Sequence, residues 1–277
     1  MWDALNFDAP VADPSSDPTP PPTLPMIEIP DVDVISAIEP RSRQTGDGRL
    51  PAPTECETFA KLDRRARLIP HSLDPTLVEH YRRLRTKIIQ EREVQDFRSL
   101  VVTSALPQEG KSVTVMNLAL SFSMLPDFRV LIVDGDMRRG TLGTWLGVEN
   151  DLPGLSNLID GSARVDDVIR HADNLPMHFV LSGNSQTADL HSAQLKTHFQ
   201  EMTARYDLVL VDSPPVNLIS DVQLIAGSCD AVLVVARAFT TTRPSLQKAL
   251  QDLSPFRVLG TVLNAGEEGD SKYYGYY

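Results

Sequence analysis

Ala105-Leu106-Pro107-Gln108-Glu109-Gly110-Lys111-Ser112 is the stretch whose reading decides the fold. A short apolar run, Ser99–Ser104, leads into it, and a helix-forming run, Lys111–Met124, leaves it. A loop at such a junction presents successive backbone N–H groups to an anion at a helix N-terminus, where the helix dipole adds attraction. Gly110 lets the backbone close on the phosphates. Lys111 reaches the outer phosphates, and the Ser112 hydroxyl is placed to ligate magnesium. Gln108, Glu109 and Val113 complete the stretch expected to line the nucleotide. The usual form of this loop is G-x-x-x-x-G-K-[ST], and Ala105 replaces its first glycine. The mechanism depends on the N–H groups and the lysine, so it survives that departure.

Two further apolar runs end in carboxylates. They are Leu131-Ile132-Val133-Asp134-Gly135-Asp136-Met137-Arg138 and Leu208-Val209-Leu210-Val211-Asp212-Ser213-Pro214-Pro215. Ligands of open α/β sheets bind at the carboxyl ends of strands, where these acids sit. Asp212 is placed to hold the magnesium or its water. Pro214 and Pro215 then force the chain out of the sheet. Asp134 and Asp136 are two residues apart and, in an extended segment, would point the same way. One such carboxylate can bind the ion while the other orients or deprotonates a nucleophile.

Further apolar runs at Arg129–Val133, Met177–Ser182, Asp207–Val211, Ala231–Val235 and Val258–Leu263 read as strands. Helical stretches at Leu190–Ala204, Asp221–Ala226 and Arg243–Leu253 separate most of them. Continuous apolar strands alternating with helices predict an α/β, P-loop NTPase-like domain: a mostly parallel sheet with helices on both faces. Ahead of it, Pro75–Gln90 reads as a helix whose buried stripe is Leu77, Tyr81, Leu84 and Ile88. Glu79, Arg82 and Arg85 share a different face, about 60° from one to the next.

Charge divides the chain. Residues 1–60 hold eleven acids against three arginines, and eleven of the twenty-one prolines. Such a segment cannot bury enough apolar surface to offset its ordering entropy. The expected organisation is a disordered acidic, proline-rich tail over 1–70, a P-loop domain over 71–266 and a flexible tyrosine-rich tail over 267–277. Cys56 and Cys229 have no metal or redox spacing and suit a reducing cytosol. The six histidines form no ligand cluster. No run approaches the roughly 18 apolar residues of a membrane span, and Met1-Trp2-Asp3 does not open a signal peptide. The chain is therefore expected to be soluble, with any membrane role through a partner. DNA binding has no support in the sequence beyond the modest basic stretch at 61–98.

The chain closes with Tyr273-Tyr274-Gly275-Tyr276-Tyr277, an unusual sequence for an exposed terminus, since clustered aromatics are a solubility liability. Together with the phosphate loop, Asp134-x-Asp136-x-Arg138, the Asp212 run and Glu79-x-x-Arg82-x-x-Arg85, these tyrosines resemble the bacterial tyrosine kinases of capsule and exopolysaccharide synthesis, of the CpsD/CapB type. The resemblance covers about Asp74 to Tyr277, and Gly154-Leu155-Ser156-Asn157-Leu158-Ile159-Asp160-Gly161 looks like another family segment. It implies ATP and magnesium as cofactors, with Lys111 and Ser112 on the phosphates and metal and with Asp136 and Asp212 supporting the metal. It implies Asp134 as base for an incoming tyrosine hydroxyl, Arg138 as an orienting residue and Asn264 near adenine. Tyr273, Tyr274, Tyr276 and Tyr277 are implied phosphorylation sites, modified in trans. Glu79, Arg82 and Arg85 are implied to bridge subunits of a ring. The implied partners are a membrane copolymerase that supplies an activating tail, and further protein-tyrosine substrates. The implied location is the cytoplasm, at the inner face of the plasma membrane through that partner.

The chain departs from the family pattern at Gly183-Asn184-Ser185-Gln186-Thr187-Ala188-Asp189, where members carry an Asn-Pro pair, and in its long N-terminal segment. Two other classes share these motifs. A partition or septum-positioning ATPase carries a lysine early in the phosphate loop, where this chain has Leu106 and Pro107. A non-catalytic ATP-binding regulator of polysaccharide export would bind nucleotide without autophosphorylation.

Overall fold

The computed structural model describes residues 58–59, 75–148, 151–172, 177–185 and 192–266. In chain order its elements are β1 (Thr58–Phe59), α1 (Pro75–Val94), β2 (Ser99–Ser104), α2 (Lys111–Ser123), β3 (Val130–Asp134), α3 (Thr141–Leu146), α4 (Leu155–Ile159) and α5 (Val165–Val168). There follow β4 (Arg170–Ala172), β5 (His178–Val180), α6 (Ser192–Arg205), β6 (Leu208–Asp212), α7 (Asp221–Ser228), β7 (Ala231–Arg237), α8 (Arg243–Asp252) and β8 (Val258–Asn264).

The strands form one sheet in the order β1-β4-β5-β3-β6-β2-β7-β8. From β5 to β8 every neighbouring pair is parallel, and β4 meets β5 antiparallel. The central strands are buried at every position because both faces are covered. Leu100 and Val102, Val130 and Ile132, and Leu208 and Leu210 pack on one face. Their neighbours Val101, Leu131, Val133, Val209 and Val211 pack on the other. Residues of α1, α2 and α3 cover the first face, and residues of α4 to α8 cover the second.

The sequence-based sheet is present, with adjustments. α1 runs four residues beyond the expected Gln90, and its stripe is as read: Tyr81 and Ile88 are buried, with Leu77 and Leu84 packed beside them. The expected strand Met177–Ser182 is shorter, because β5 spans His178–Val180. Thr58–Phe59, inside the stretch assigned to the N-terminal tail, form β1 and pair with β4. Apart from those two residues, the expected 1–70 and 267–277 tails lie outside the described residues.

Candidate active site

The phosphate loop is fixed from outside by its own buried acid. Glu109 is 1 % exposed, and its carboxylate accepts from the Leu106 N–H at 2.8 Å and from the Thr241 hydroxyl. The Ser104 hydroxyl donates to the Leu106 carbonyl at 2.7 Å, and Arg237 Nη1 to the Gln108 carbonyl at 3.1 Å. Gly110 sits at φ +94, and a Cβ there would lie 2.0 Å from Asn264 Nδ2. Glycine is needed twice over, for the left-handed backbone and for the space. Asn264 uses that space to donate to the Glu109 carbonyl at 2.9 Å. The structure thus places Asn264 against the phosphate loop.

Lys111 opens α2 and points at the ends of β3 and β6. Its ammonium lies 3.4 Å from Ser112 Oγ, 3.8 Å from Asp136 Oδ2 and 4.0 Å from Asp212 Oδ1. Asp134, Asp136 and Asp212 are all buried. Asp134 and Asp212 are direct register partners across β3 and β6. Gly135 makes that approach possible. Its N–H donates to the Asp212 carbonyl at 2.7 Å, and a Cβ at Gly135 would meet the same oxygen at 2.7 Å.

The structure separates the two acids that the sequence expected to point the same way. β3 ends at Asp134 and the chain turns at once, so Asp136 is not in an extended segment. The Asp134 carboxylate accepts from the Asp136 N–H at 3.1 Å and the Leu142 N–H at 3.0 Å. Asp136 instead turns one oxygen toward Lys111 and accepts the Arg139 N–H on the other at 3.2 Å. Burial, followed by the Asp212 charge, pushes the Asp134 carboxyl up to about 8. Burial also pushes Asp212 up, to about 6, with Lys111 as the main opposing influence.

The Asp212 carboxylate is fully buried, with the Lys111 ammonium 4.0 Å from Oδ1, and the Ser112 hydroxyl and Ser213 N–H only partly offset its burial. A carboxylate so placed is costly unless something completes it. Beside the Ser112 hydroxyl and Asp136, it is a donor set suited to magnesium, which takes few protein oxygens and shares the rest with phosphates and water. Among the described residues, no group of three or more His, Cys, Asp or Glu forms a cation cage.

This arrangement has a consequence for stability. The folded carboxyl of Asp212 lies above its ordinary range, so stability is full at low pH and is lost as pH rises through about 4 to 6. Asp212→Asn is expected to stabilise the nucleotide-free protein at pH 8 by about 1–3 kcal/mol. The gain should shrink toward zero near pH 4. Urea denaturation across that range checks it, and a variant less stable than the parent at pH 8 would contradict the buried-carboxylate picture.

Other expected residues are placed differently. Arg138 is 65 % exposed and pairs with Asp221 at 3.5 Å. Glu79 pairs within α1, with Arg82 at 3.8 Å and Arg83 at 3.6 Å. Arg85 turns inward and donates to the Ser121 carbonyl of α2. The Ser121 hydroxyl adds to that brace, donating to the Tyr81 carbonyl of α1 at 3.4 Å. Tyr273, Tyr274, Tyr276 and Tyr277 lie outside the described residues. The sequence reading missed the loop-fixing role of Glu109, its partner Thr241 and the close approach at Gly135. The glycine between two aspartates was the available signal for the last.

Residues 108–254 match the AAA domain family. The tyrosine-protein kinase YwqD of Bacillus subtilis (strain 168) is 29% identical over 204 residues, covering 72% of this chain and 85% of that protein. The tyrosine-protein kinase CpsD of Streptococcus agalactiae is 29% identical over 206 residues, covering 72% and 89%. Among solved structures, the kinase domain of the Escherichia coli tyrosine kinase ETK superposes with a TM-score of 0.65 at 25% identity, covering 79% of this chain and 93% of that one. The phosphate loop, the paired acid strands and these likenesses agree: the chain belongs to the AAA domain family and, within it, to the bacterial tyrosine kinases of the CpsD/CapB type.

Proposed function

We propose that this chain is an ATP- and magnesium-dependent protein-tyrosine kinase that phosphorylates Tyr273, Tyr274, Tyr276 and Tyr277 of a neighbouring copy. The observation that carries this reading is the division among the buried acids. Asp136 and Asp212 face Lys111, while Asp134 is turned away from it and held by two backbone N–H groups. A carboxyl raised toward neutrality is a stronger base once ionised, which suits removal of a phenolic proton. The tyrosine oxygen forms its bond to the γ-phosphorus as the bond to the ADP oxygen breaks, and the phenolic proton passes to Asp134. Lys111 stabilises the charge that develops on the outer phosphates. Magnesium held by Ser112, Asp136 and Asp212 would neutralise further phosphate charge. Arg138 stands at the rim of this site.

The wider role follows from the same reading. Glu79 and Arg82 on α1 bridge neighbouring copies in a ring, and Arg85 braces that helix on α2, which begins at Lys111. A membrane copolymerase activates the kinase and brings it to the inner face of the plasma membrane, where it regulates polymerisation and export of exopolysaccharide or capsule. Among the described residues, no helix is long and apolar enough to cross a membrane, which fits anchoring by a partner. Other protein tyrosines can serve as further substrates, and the reading includes no nucleic acid.

Each phosphate adds about −1.5 to −2 charges to a short tail. Phosphorylation is therefore expected to expel the tail from the neighbouring acidic site and shrink the ring. Light scattering before and after ATP addition should show a fall in particle size. The variant with all four tail tyrosines changed to Phe should keep its size. An assembly unchanged in size when fully phosphorylated would overturn the ring switch.

A further inference from the structure

We infer that the Arg138–Arg139 turn docks the acidic flank Glu267-Glu268-Gly269-Asp270 of a second copy, setting Tyr273 and its neighbours at the site. The inference rests on the kinase reading above and names what that site recognises beyond the tyrosine itself.

The turn is built onto a metal-supporting acid. The Arg139 and Gly140 N–H groups both donate to the Asp136 carbonyl, at 3.1 and 2.8 Å. The Arg139 N–H also donates to Asp136 Oδ1 at 3.2 Å. The backbone from which both guanidinium groups spring is thus fixed relative to the buried acids. Both arginines are exposed. Arg138 makes a long pair with Asp221, and no described residue partners the Arg139 guanidinium.

Charge and spacing supply the occupant. Between Asn264 and Tyr273 the chain carries three acids and one lysine, a net of −2. A tail of that sign approaches a site already holding Asp134, Asp136 and Asp212, so it needs opposite charge at the rim. Asp270 and Glu268 precede Tyr273 by three and five residues, about 10–17 Å when extended. Asp134 and Arg139 are themselves five residues apart around a turn. A tyrosine at Asp134 therefore leaves its acidic flank within reach of the two arginines.

The tether favours a second copy over the chain's own tail. Asn264, which ends the edge strand β8, is anchored on the Glu109 carbonyl of the phosphate loop. Four strand steps separate β8 from β3, roughly 19 Å. Glu267 and Glu268 follow Asn264 by three and four residues, at most about 10–14 Å. Glu267 and Glu268 are the flank residues most constrained on their own turn, whereas a neighbour's tail has no such tether.

The test uses the full chain with its four tail tyrosines changed to Phe, so that added peptide receives the phosphate. One peptide has the sequence of residues 265–277, and the other carries Glu267→Gln, Glu268→Gln and Asp270→Asn. The neutral flank is expected to raise KM by roughly 3- to 10-fold, with kcat little changed and the gap closing as salt is added. Arg139→Gln should raise KM for the acidic peptide by a similar factor and treat both peptides alike, while Arg139→Lys restores the preference. Equal KM for both peptides, or a preference that survives Arg139→Gln, overturns the docking inference alone. Absence of phosphate on both peptides overturns the kinase reading and this inference with it.

Discussion

Lys111→Met is expected to lower phosphotransfer by about 10²-fold or more, the usual loss on removing a fixed stabiliser of transition-state charge. The lysine's position supports this expectation. It begins α2 immediately after the left-handed Gly110, and its ammonium stands within 4.0 Å of Ser112, Asp136 and Asp212. The substitution also leaves Asp136 and Asp212 without their shared cation. Some loss of magnesium-free stability above pH 6 should accompany the kinetic defect, and the folded fraction must be measured beside the rate. A well-folded Lys111→Met chain that labels its tail at a near-parental rate would remove this residue from the mechanism.

Asp134→Asn is expected to lower phosphotransfer by about 10²- to 10⁴-fold, the range of a positioned general base. Nucleotide affinity and magnesium dependence should stay close to those of the parent. Asp136→Asn and Asp212→Asn should instead shift the magnesium requirement upward, because their carboxylates face Lys111 and Ser112. The physical basis is the turn after β3, which directs Asp134 to the Leu142 N–H and Asp136 to the lysine. The parent's rate should also rise with pH toward about 8, since burial and Asp212 keep the Asp134 carboxyl protonated below that. Titrating magnesium and labelled nucleotide against all three variants decides the matter. Identical binding and metal profiles would show that the three acids are not divided in this way.

Much of this site was legible because its chemistry is local in sequence. The phosphate loop carries its strand, its glycine and its helix within a few residues. The acid strands announce themselves by continuous apolar runs that only a doubly covered sheet tolerates. Strand order is different in kind. Nothing in Ser99–Ser104 says that it lies between β6 and β7, nor that Asp134 faces Asp212 in register. β4, with the sequence Arg-His-Ala, has too few residues and too little apolar character to show as a strand. The separation of Asp134 from Asp136 was misread because extension was assumed through a residue where β3 had already ended. Arg85 was grouped with Glu79 and Arg82 by helical angle and by the Glu-x-x-Arg-x-x-Arg spacing that resembles the family's. Its inward turn depends on the Ser121 carbonyl of another helix, which no spacing rule reveals. Glu109 was read as one more loop residue, but its carboxylate closes the loop on itself and on Thr241.

The central claim is that this constellation transfers phosphate from ATP to the tail tyrosines of a neighbouring copy of the chain. Incubating the purified full chain with ATP and magnesium, with and without a candidate copolymerase tail, and locating phosphate by peptide mass spectrometry tests it most directly. The account predicts phosphate on the peptide holding Tyr273, Tyr274, Tyr276 and Tyr277, and its loss in Asp134→Asn. A folded chain that binds ATP and magnesium, yet leaves those tyrosines unmodified even with the activator tail, would contradict it.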